Sequence, residues 1–314
     1  MELLDGYAVM DDLGIIYYVI GLPRDDGVWV YPKYIPDPSG DRIINGKKYK
    51  KLPSPLDAID QIKSIKPNIF TKIGFTVFPL LKYNDIKQIF DPKITLRQLI
   101  EKDSILKELV SLITMNDINI LENLGITGSR LLGLNTPNSD IDLIFYGSLE
   151  LSKRIYHQLK KLRKRGVTKP VHGIQLKKLW KERMDTPIDY TLFKFIEKRK
   201  IVQGMFMDYI YSIKLFDYAA WKQGNVIDVV TFEGVILDDS HSMLFPPSYL
   251  IRPLKNVNEH IKADKPLKVI SYRSRFWEVA PKGTVVRIHG ILEKLDNDQI
   301  IVINHEHGII HPLI

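Results

Sequence analysis

The sequence predicts a mixed α/β (α+β) architecture. A β-rich N-terminal segment and helices precede a core built on a mixed sheet, and a small all-β, barrel-like domain follows. Three observations predict it. Residues 1–55 carry β-branched and aromatic runs edged by Gly and Pro, such as GIIYYVI and GVWVYPKYI. The middle of the chain shows apolar residues at helical spacing, interrupted by one short apolar run. Beyond residue 216, VIDVVTFEGVIL, KVISYRS, TVVRIHGILEKL and QIIVINHEHGII read as short strands separated by DDS, PKG and DND. The expected divisions are 1–55, a helical connector at 56–94, the core at 95–216 and the barrel-like domain at 217–314.

Within the first division, PDPSGDRIINGKKYKK (36–51) is turn-rich and reads as an exposed hairpin ending in a basic cluster. Segments 56–65, 84–90 and 95–123 read as helical, with Thr95 as an N-cap and Gly125 as the glycine that follows a helix. LELSKRIYHQLKKLRKRG (149–166) is an amphipathic helix with Leu151, Ile155, Leu159 and Leu162 on its apolar line, ended by Gly166. IQLKKLWKERM (174–184) is a second basic helix, and Asp189 caps a third, YTLFKFIEKRK. MFMDYIYSIKLF (205–216) reads as one strand.

Composition narrows the function. The chain has 314 residues, 45% of them hydrophobic and 26% charged, which suits a soluble globular protein. No uncharged apolar run approaches the ~20 residues of a membrane span. The acidic start, MELLDGYAVMDDLG, does not resemble a signal peptide, so the expected location is cytoplasmic. There is no cysteine, which excludes disulfides, thiolate metal sites and cysteine nucleophiles. The net charge of +8 favours acidic partners, nucleotides and nucleic acid first. No GxSxG, Walker A or HExxH pattern is present.

The stretch GITGSRLLGLNTPNSDIDLIFYG (125–147) carries the chemistry. Asp140 and Asp142 lead an apolar run, so on a strand both carboxylates share one face. Such a pair repels unless something compensates, and a divalent cation with oxygen ligands does so. Gly128 permits a tight turn. A helix beginning at Ser129 turns free N–H groups outward as an anion site. Gly128, Ser129 and Arg130 therefore read as a phosphate cradle beside a metal-binding edge, which a nucleoside triphosphate with Mg²⁺ would fill.

The stretch resembles the nucleotidyltransferase superfamily that includes DNA polymerase beta, poly(A) polymerases and CCA-adding enzymes. Gly128-Ser129, about ten intervening residues and Asp140-Ile141-Asp142-Leu143 match its pattern. Thr127 stands where an apolar residue is usual. The resemblance implies a nucleotidyltransferase core, with Mg²⁺ or Mn²⁺ and an NTP donor, ATP first. It also implies a third carboxylate on a later strand. Asp208 is the first candidate for that role, because it lies in a strand-like run; Asp189 and Asp228 follow. The implied reaction moves an NMP to an acceptor hydroxyl; the net charge and the β domain make RNA the first expected acceptor, and the resemblance makes a protein side chain the second. The rival class is a nucleic-acid-binding or regulatory protein with a degenerate core. More loosely, YPKYIPDPSGDR, EKRKIVQG and SYRSRFWEVAPKG are similar to archaeal proteins known only as predicted nucleotidyltransferases.

Other features have blander readings. Lys160, Lys161, Arg163, Lys164, Arg165, Lys177, Lys178, Lys181 and Arg183 form either a nucleic-acid surface or a solvated face. Glu197, Lys198, Arg199 and Lys200 read as a solvated run. In SYRSRFWEVA (271–280), the favoured reading packs Tyr272, Ser274 and Phe276 inward rather than stacking bases. His305, His307 and His311 with Glu306 read as a surface cluster rather than a metal site.

Overall fold

The chain divides into two units, Met1–Phe145 and Tyr146–Ile314. The computed structural model describes residues 2–52, 55–73, 76–221, 224–255, 260–261, 265–296, 298–303 and 308–313.

The first unit begins with five strands: β1 (Ala8–Asp11), β2 (Ile16–Val19), β3 (Gly27–Pro36), β4 (Arg42–Ile44) and β5 (Lys47–Lys51). Burial along β3 alternates nearly residue by residue, as a strand with one covered face requires. The β4–β5 hairpin turns at Asn45-Gly46, both at positive φ, which is the turn geometry that Asn-Gly favours. It buries Ile44 and Tyr49 and leaves Lys47, Lys48, Lys50 and Lys51 exposed, so the 36–51 segment is the expected hairpin. Next come α1 (Pro55–Ile65), β6 (Phe70–Ile73), β7 (Thr76–Lys82) and β8 (Ile86–Phe90). The helical reading of 56–94 therefore holds for α1, two short 3₁₀ turns and the helix that begins at Pro92, and not for the strands between them. Ile86, Ile89 and Phe90 suit either spacing, and β1 offers a strand edge, so 84–90 becomes mostly strand and pairs with it. The order is β4-β5-β3-β2-β1-β8, with β7 on β3 and β6 on β7.

Three helices follow: α2 (Pro92–Ile100), α3 (Ser104–Thr114) and α4 (Ile118–Leu121). Asp91, not Thr95, caps α2, with Pro92 in the first turn. Its carboxylate accepts from the amides of Lys93 and Ile94 at 2.8 and 3.0 Å. The unit ends with β9 (Leu124–Ile126), the single turn α5 (Gly128–Leu131) and β10 (Ile141–Phe145). Gly125 is not a helix terminator. It lies in β9, where a Cβ would stand 2.6 Å from Pro92 Cβ.

The second unit opens with α6 (Leu149–Lys164), which buries Ile155, Leu159 and Leu162 as its pattern predicts. Then come β11 (Thr168–Lys169), α7 (Gly173–Glu182), α8 (Tyr190–Arg199), β12 (Gln203–Phe206) and β13 (Tyr209–Phe216). Asp189 caps α8 as expected, accepting from Thr191 and Leu192 amides at 2.8 and 3.0 Å. The single strand expected over 205–216 is instead a hairpin of β12 and β13. Its turn lies at Met207-Asp208, with Met207 at φ +49°.

The remaining strands are β14 (Asn225–Asp238), β15 (Leu244–Phe245), β16 (Ser248–Lys255), β17 (Leu267–Ser271), β18 (Val285–Leu295), β19 (Asp298–Ile303) and β20 (Ile309–Pro312). β15 joins β13 in parallel. Pairing runs β14-β16-β17-β19-β18 and returns to β14, which closes a five-stranded barrel, and β20 adds to β18. Closure removes free edges, and the bulges along the long β14 give the bend that closure needs. Phe232, Ile251, Val286, Ile288, Leu292 and Ile301 are among the residues that fill its core.

Helix α8 is fastened to this barrel by buried charge. Lys200 is fully buried, and its Nζ donates to Glu197 Oε1 at 2.5 Å and to the Arg275 carbonyl at 2.8 Å. Arg183 and Gln203 also donate to Glu197. Glu278 accepts from the amides of Ile201 and Val202 and from Tyr156 Oη. Glu197 and Lys200 are therefore not part of a solvated run, although Lys198 and Arg199 are exposed. The reason is tertiary: EKRKIVQG and SYRSRFWEVAPKG meet, with Lys200 donating to the Arg275 carbonyl and the Ile201 and Val202 amides donating to Glu278. Packing is indeed what SYRSRFWEVA does, with Trp277 and Phe276 buried. It is not a strand alternation, because Ser274–Phe276 form a 3₁₀ turn and Arg273 is buried and paired with Asp185.

Candidate active site

The local geometry starts from the β9–β10 pair. Leu143, Ile144 and Phe145 lie opposite Ile126, Gly125 and Leu124. The Thr127 amide extends the pairing with a 2.8 Å bond to the Asp142 carbonyl. The chain then turns away at Gly128, whose φ is +67°. A Cβ at Gly128 would stand 2.5 Å from Asp142 Oδ2. Glycine is thus required twice here, by the left-handed backbone and by the close approach of the carboxylate. This contact is the physical content of the spacing between Gly128-Ser129 and the aspartate pair.

Ile141 and Leu143 point into the core, so Asp142 between them is turned to the other face; Asp142 and Asp140, which immediately precedes β10, are both half-buried. The loop between Ser129 and Asp140 is held by a turn in which Ser139 Oγ accepts from the Thr136 amide at 2.8 Å. Thr127 does not cap α5 with its side chain, because its Oγ1 donates to the Gly6 carbonyl at 3.0 Å. Arg130 is buried. It donates to Asp103 Oδ2 at 2.8 Å and to the Asp140 carbonyl at 3.3 Å, so it braces the aspartate loop against α3.

The N-terminal sheet closes over this region. Ala8, Ile16, Tyr34, Ile44 and Tyr49 cluster with Leu131, Leu132 and Leu134, and Tyr18 packs against them. Arg42 donates to the Leu134 carbonyl at 3.1 Å. Burial pushes the Tyr18 hydroxyl well above its ordinary range, and the charges of Tyr34 and Asp142 add to the shift. Burial raises Tyr34 too, opposed by Arg42. Sequence reasoning missed these tyrosines. The alternation of β2 was a signal that adjacent Tyr17 and Tyr18 face opposite ways, but not that one of them faces the motif.

The expected third carboxylates lie in the second unit. Asp208 is exposed in the β12–β13 turn, not within a strand as its sequence context suggested. Asp189 is occupied as a cap, and Asp228 lies in β14 with Oδ1 accepting from the Val229 amide. Among the described residues, no group of three or more histidine or acidic side chains converges in a metal-binding arrangement. His305, Glu306 and His307 lie outside the described residues, and His311 is half-buried on β20. Of the basic residues on α6 and α7, Lys160, Lys161, Lys164, Lys177, Lys178 and Lys181 are exposed. Arg163 turns inward to the Lys200 and Gln203 carbonyls.

Residues 102–202 match the family described as the nucleotidyltransferase domain. This stretch contains Gly128-Ser129, Asp140 and Asp142. The chain is also 28% identical over 184 residues to an uncharacterized protein of the archaeon Methanocaldococcus jannaschii. That match covers 56% of this chain and 52% of the relative, so the chain spans about half the length of the curated relative it matches. No helix among the described residues is long and apolar enough to cross a membrane.

Proposed function

We propose that the protein is a metal-dependent nucleotidyltransferase that moves an NMP from an NTP to an acceptor hydroxyl, with RNA the first candidate acceptor. The observation that carries the reading is the approach of Gly128 to Asp142, which leaves no room for a side chain between the turn and the carboxylate. A pair of carboxylates on one strand face suits a hard cation such as Mg²⁺ or Mn²⁺, and Gly128 keeps the adjacent backbone open to a polyphosphate. Asp140 and Asp142 would hold the cation, which when bound neutralises phosphate charge and favours the ionised acceptor oxygen. The Gly128 and Ser129 backbone, with the Ser129 hydroxyl, would hold the phosphates. Arg130 keeps the loop before Asp140 in register. Asp208 is the proposed third acidic ligand, tested separately by Asp208→Asn.

A second reading is favoured by the lack of a three-acid cluster among the described residues. In it the same site binds a nucleotide without transferring it. Calorimetric titration of each NTP with Mg²⁺, on wild type and on Asp142→Asn, tests both readings. Binding of one NTP that weakens at least about tenfold in the variant supports the metal–nucleotide site. Release of pyrophosphate with an RNA acceptor then separates transfer from binding alone. Failure of every NTP to bind folded wild-type protein, with or without RNA, overturns the site itself.

A further inference from the structure

We infer that the Tyr18 hydroxyl, supplied by the N-terminal sheet, is a ligand-binding group of the same site and donates to a phosphate oxygen of the nucleotide held beside Asp142. This inference rests on the proposed nucleotide site and adds to it a residue from outside the family match, since Tyr18 precedes residue 102 by a whole sheet.

Three observations carry it. First, Tyr18 Oη is enclosed and has no hydrogen-bond partner among the described residues. Two other buried tyrosines do have partners. Tyr17 Oη donates to Asp11 Oδ2 at 3.0 Å, and buried Tyr249 Oη donates to the Phe276 carbonyl at 2.7 Å. A buried hydroxyl without a partner costs on the order of 1–3 kcal/mol, so a fold keeps one where something else makes use of it. Second, the ring packs against the cluster that contains Leu131, Leu132 and Leu134, which follow the Gly128-Ser129 turn, and the Asp142 charge reaches it. Third, the surroundings define what it can bind. A phenol is protonated at neutral pH, so the hydroxyl has a proton to donate to an acceptor. Arg42, within reach of the adjacent Tyr34, adds positive charge. Its Nε lies 3.3 Å from Asp41 Oδ2, out of hydrogen-bond alignment. A donor beside a cation and a metal-binding carboxylate suits a phosphate oxygen rather than a base edge.

The test is Tyr18→Phe, which removes one oxygen and leaves the packing. Thermal melting without ligand and calorimetric titration with the tightest-binding NTP plus Mg²⁺ are measured on wild type, Tyr18→Phe and Asp142→Asn. The corresponding nucleoside serves as a second titrant. The expected result is an unchanged or higher melting temperature for Tyr18→Phe, with NTP affinity lowered about tenfold and nucleoside affinity unchanged. A lower melting temperature with unchanged NTP affinity means that the hydroxyl has a structural partner, and overturns the inference. Unchanged NTP affinity in Tyr18→Phe together with a loss in Asp142→Asn overturns the inference and leaves the nucleotide site standing. An equal loss for the nucleoside also overturns the phosphate assignment. No NTP binding by wild type overturns the site and the inference with it.

Discussion

Two buried polar regions of this molecule are built on opposite principles. Around Glu197 and Lys200 the groups close on one another. Lysine, arginine and glutamine converge on one carboxylate, and Lys200 also reaches the Arg275 carbonyl. Around the Gly128 turn a glycine backbone is pressed against the Asp142 carboxylate, and the hydroxyl of Tyr18, packed on the cluster with Leu131, Leu132 and Leu134, has no hydrogen-bond partner among the described residues. The first arrangement is how a structure offsets the cost of buried charge, since the donors of Lys200, Arg183 and Gln203 meet acceptors. The second is what a site needs, since unfilled capacity is available to a ligand. The difference shows why burial of polar residues alone does not mark function. The relevant question is whether the buried groups already satisfy each other.

The comparison yields three tests. The largest effect is expected for Glu197→Gln. It removes the negative charge that Lys200 and Arg183 share, and should cost about 3 kcal/mol in denaturant unfolding. A loss below ~0.5 kcal/mol would mean that water or another carboxylate takes over, and the closed-network description would fail.

Gly128→Ala comes next. Its φ of +67° and the 2.5 Å approach of Asp142 Oδ2 both oppose a methyl group. We expect about 1–3 kcal/mol of lost stability and a loss of nucleotide binding. Wild-type binding and melting in this variant would show that the turn tolerates a side chain, and the argument for a tight cradle would be lost.

The smallest effect concerns pH. Burial lowers the Lys200 pKa from its ordinary value to about 8, with Glu197 opposing the shift. Between about pH 8 and the ordinary lysine range the unfolded chain therefore binds more protons at this position than the folded chain. The contribution of Lys200 to stability must then rise with pH across that window, and below it stay constant at its least favourable. Tyrosines with raised pKa values act in the opposite sense at high pH, so the measurement is a difference. Unfolding free energies of wild type and Lys200→Met, compared at pH 7.5 and 9.5, should diverge in favour of wild type by on the order of 1 kcal/mol. Parallel curves would place the lysine pKa near its solution value and contradict its burial.

Much of the fold was legible because the signals were local. The alternation of β3, the Asn-Gly turn, the apolar line of α6 and the cap at Asp189 each depend on residues within a few positions of one another. The places where reading failed share a cause. IKQIF suits a helix or a strand, and only the free edge of β1 decides for a strand. Gly125 terminates a helix in the sequence and makes room for Pro92 in the structure. Nothing near Asp208 in sequence announces the left-handed Met207 that turns the chain there.

By itself the sequence determined the apolar strand that carries Asp142, the glycine turn before it and the strand content of the C-terminal region. Each follows from periodicity or backbone freedom. The tertiary structure alone decided that β14 meets both β16 and β18 to close a barrel, that Lys200 is buried rather than solvated, and that Tyr18 packs on the cluster containing Leu131, Leu132 and Leu134 while Tyr17 bonds to Asp11. Those outcomes depend on which distant segment supplies the partner. Neither periodicity nor charge count contains that information, because side-chain burial and hydrogen bonding are properties of the assembled contacts.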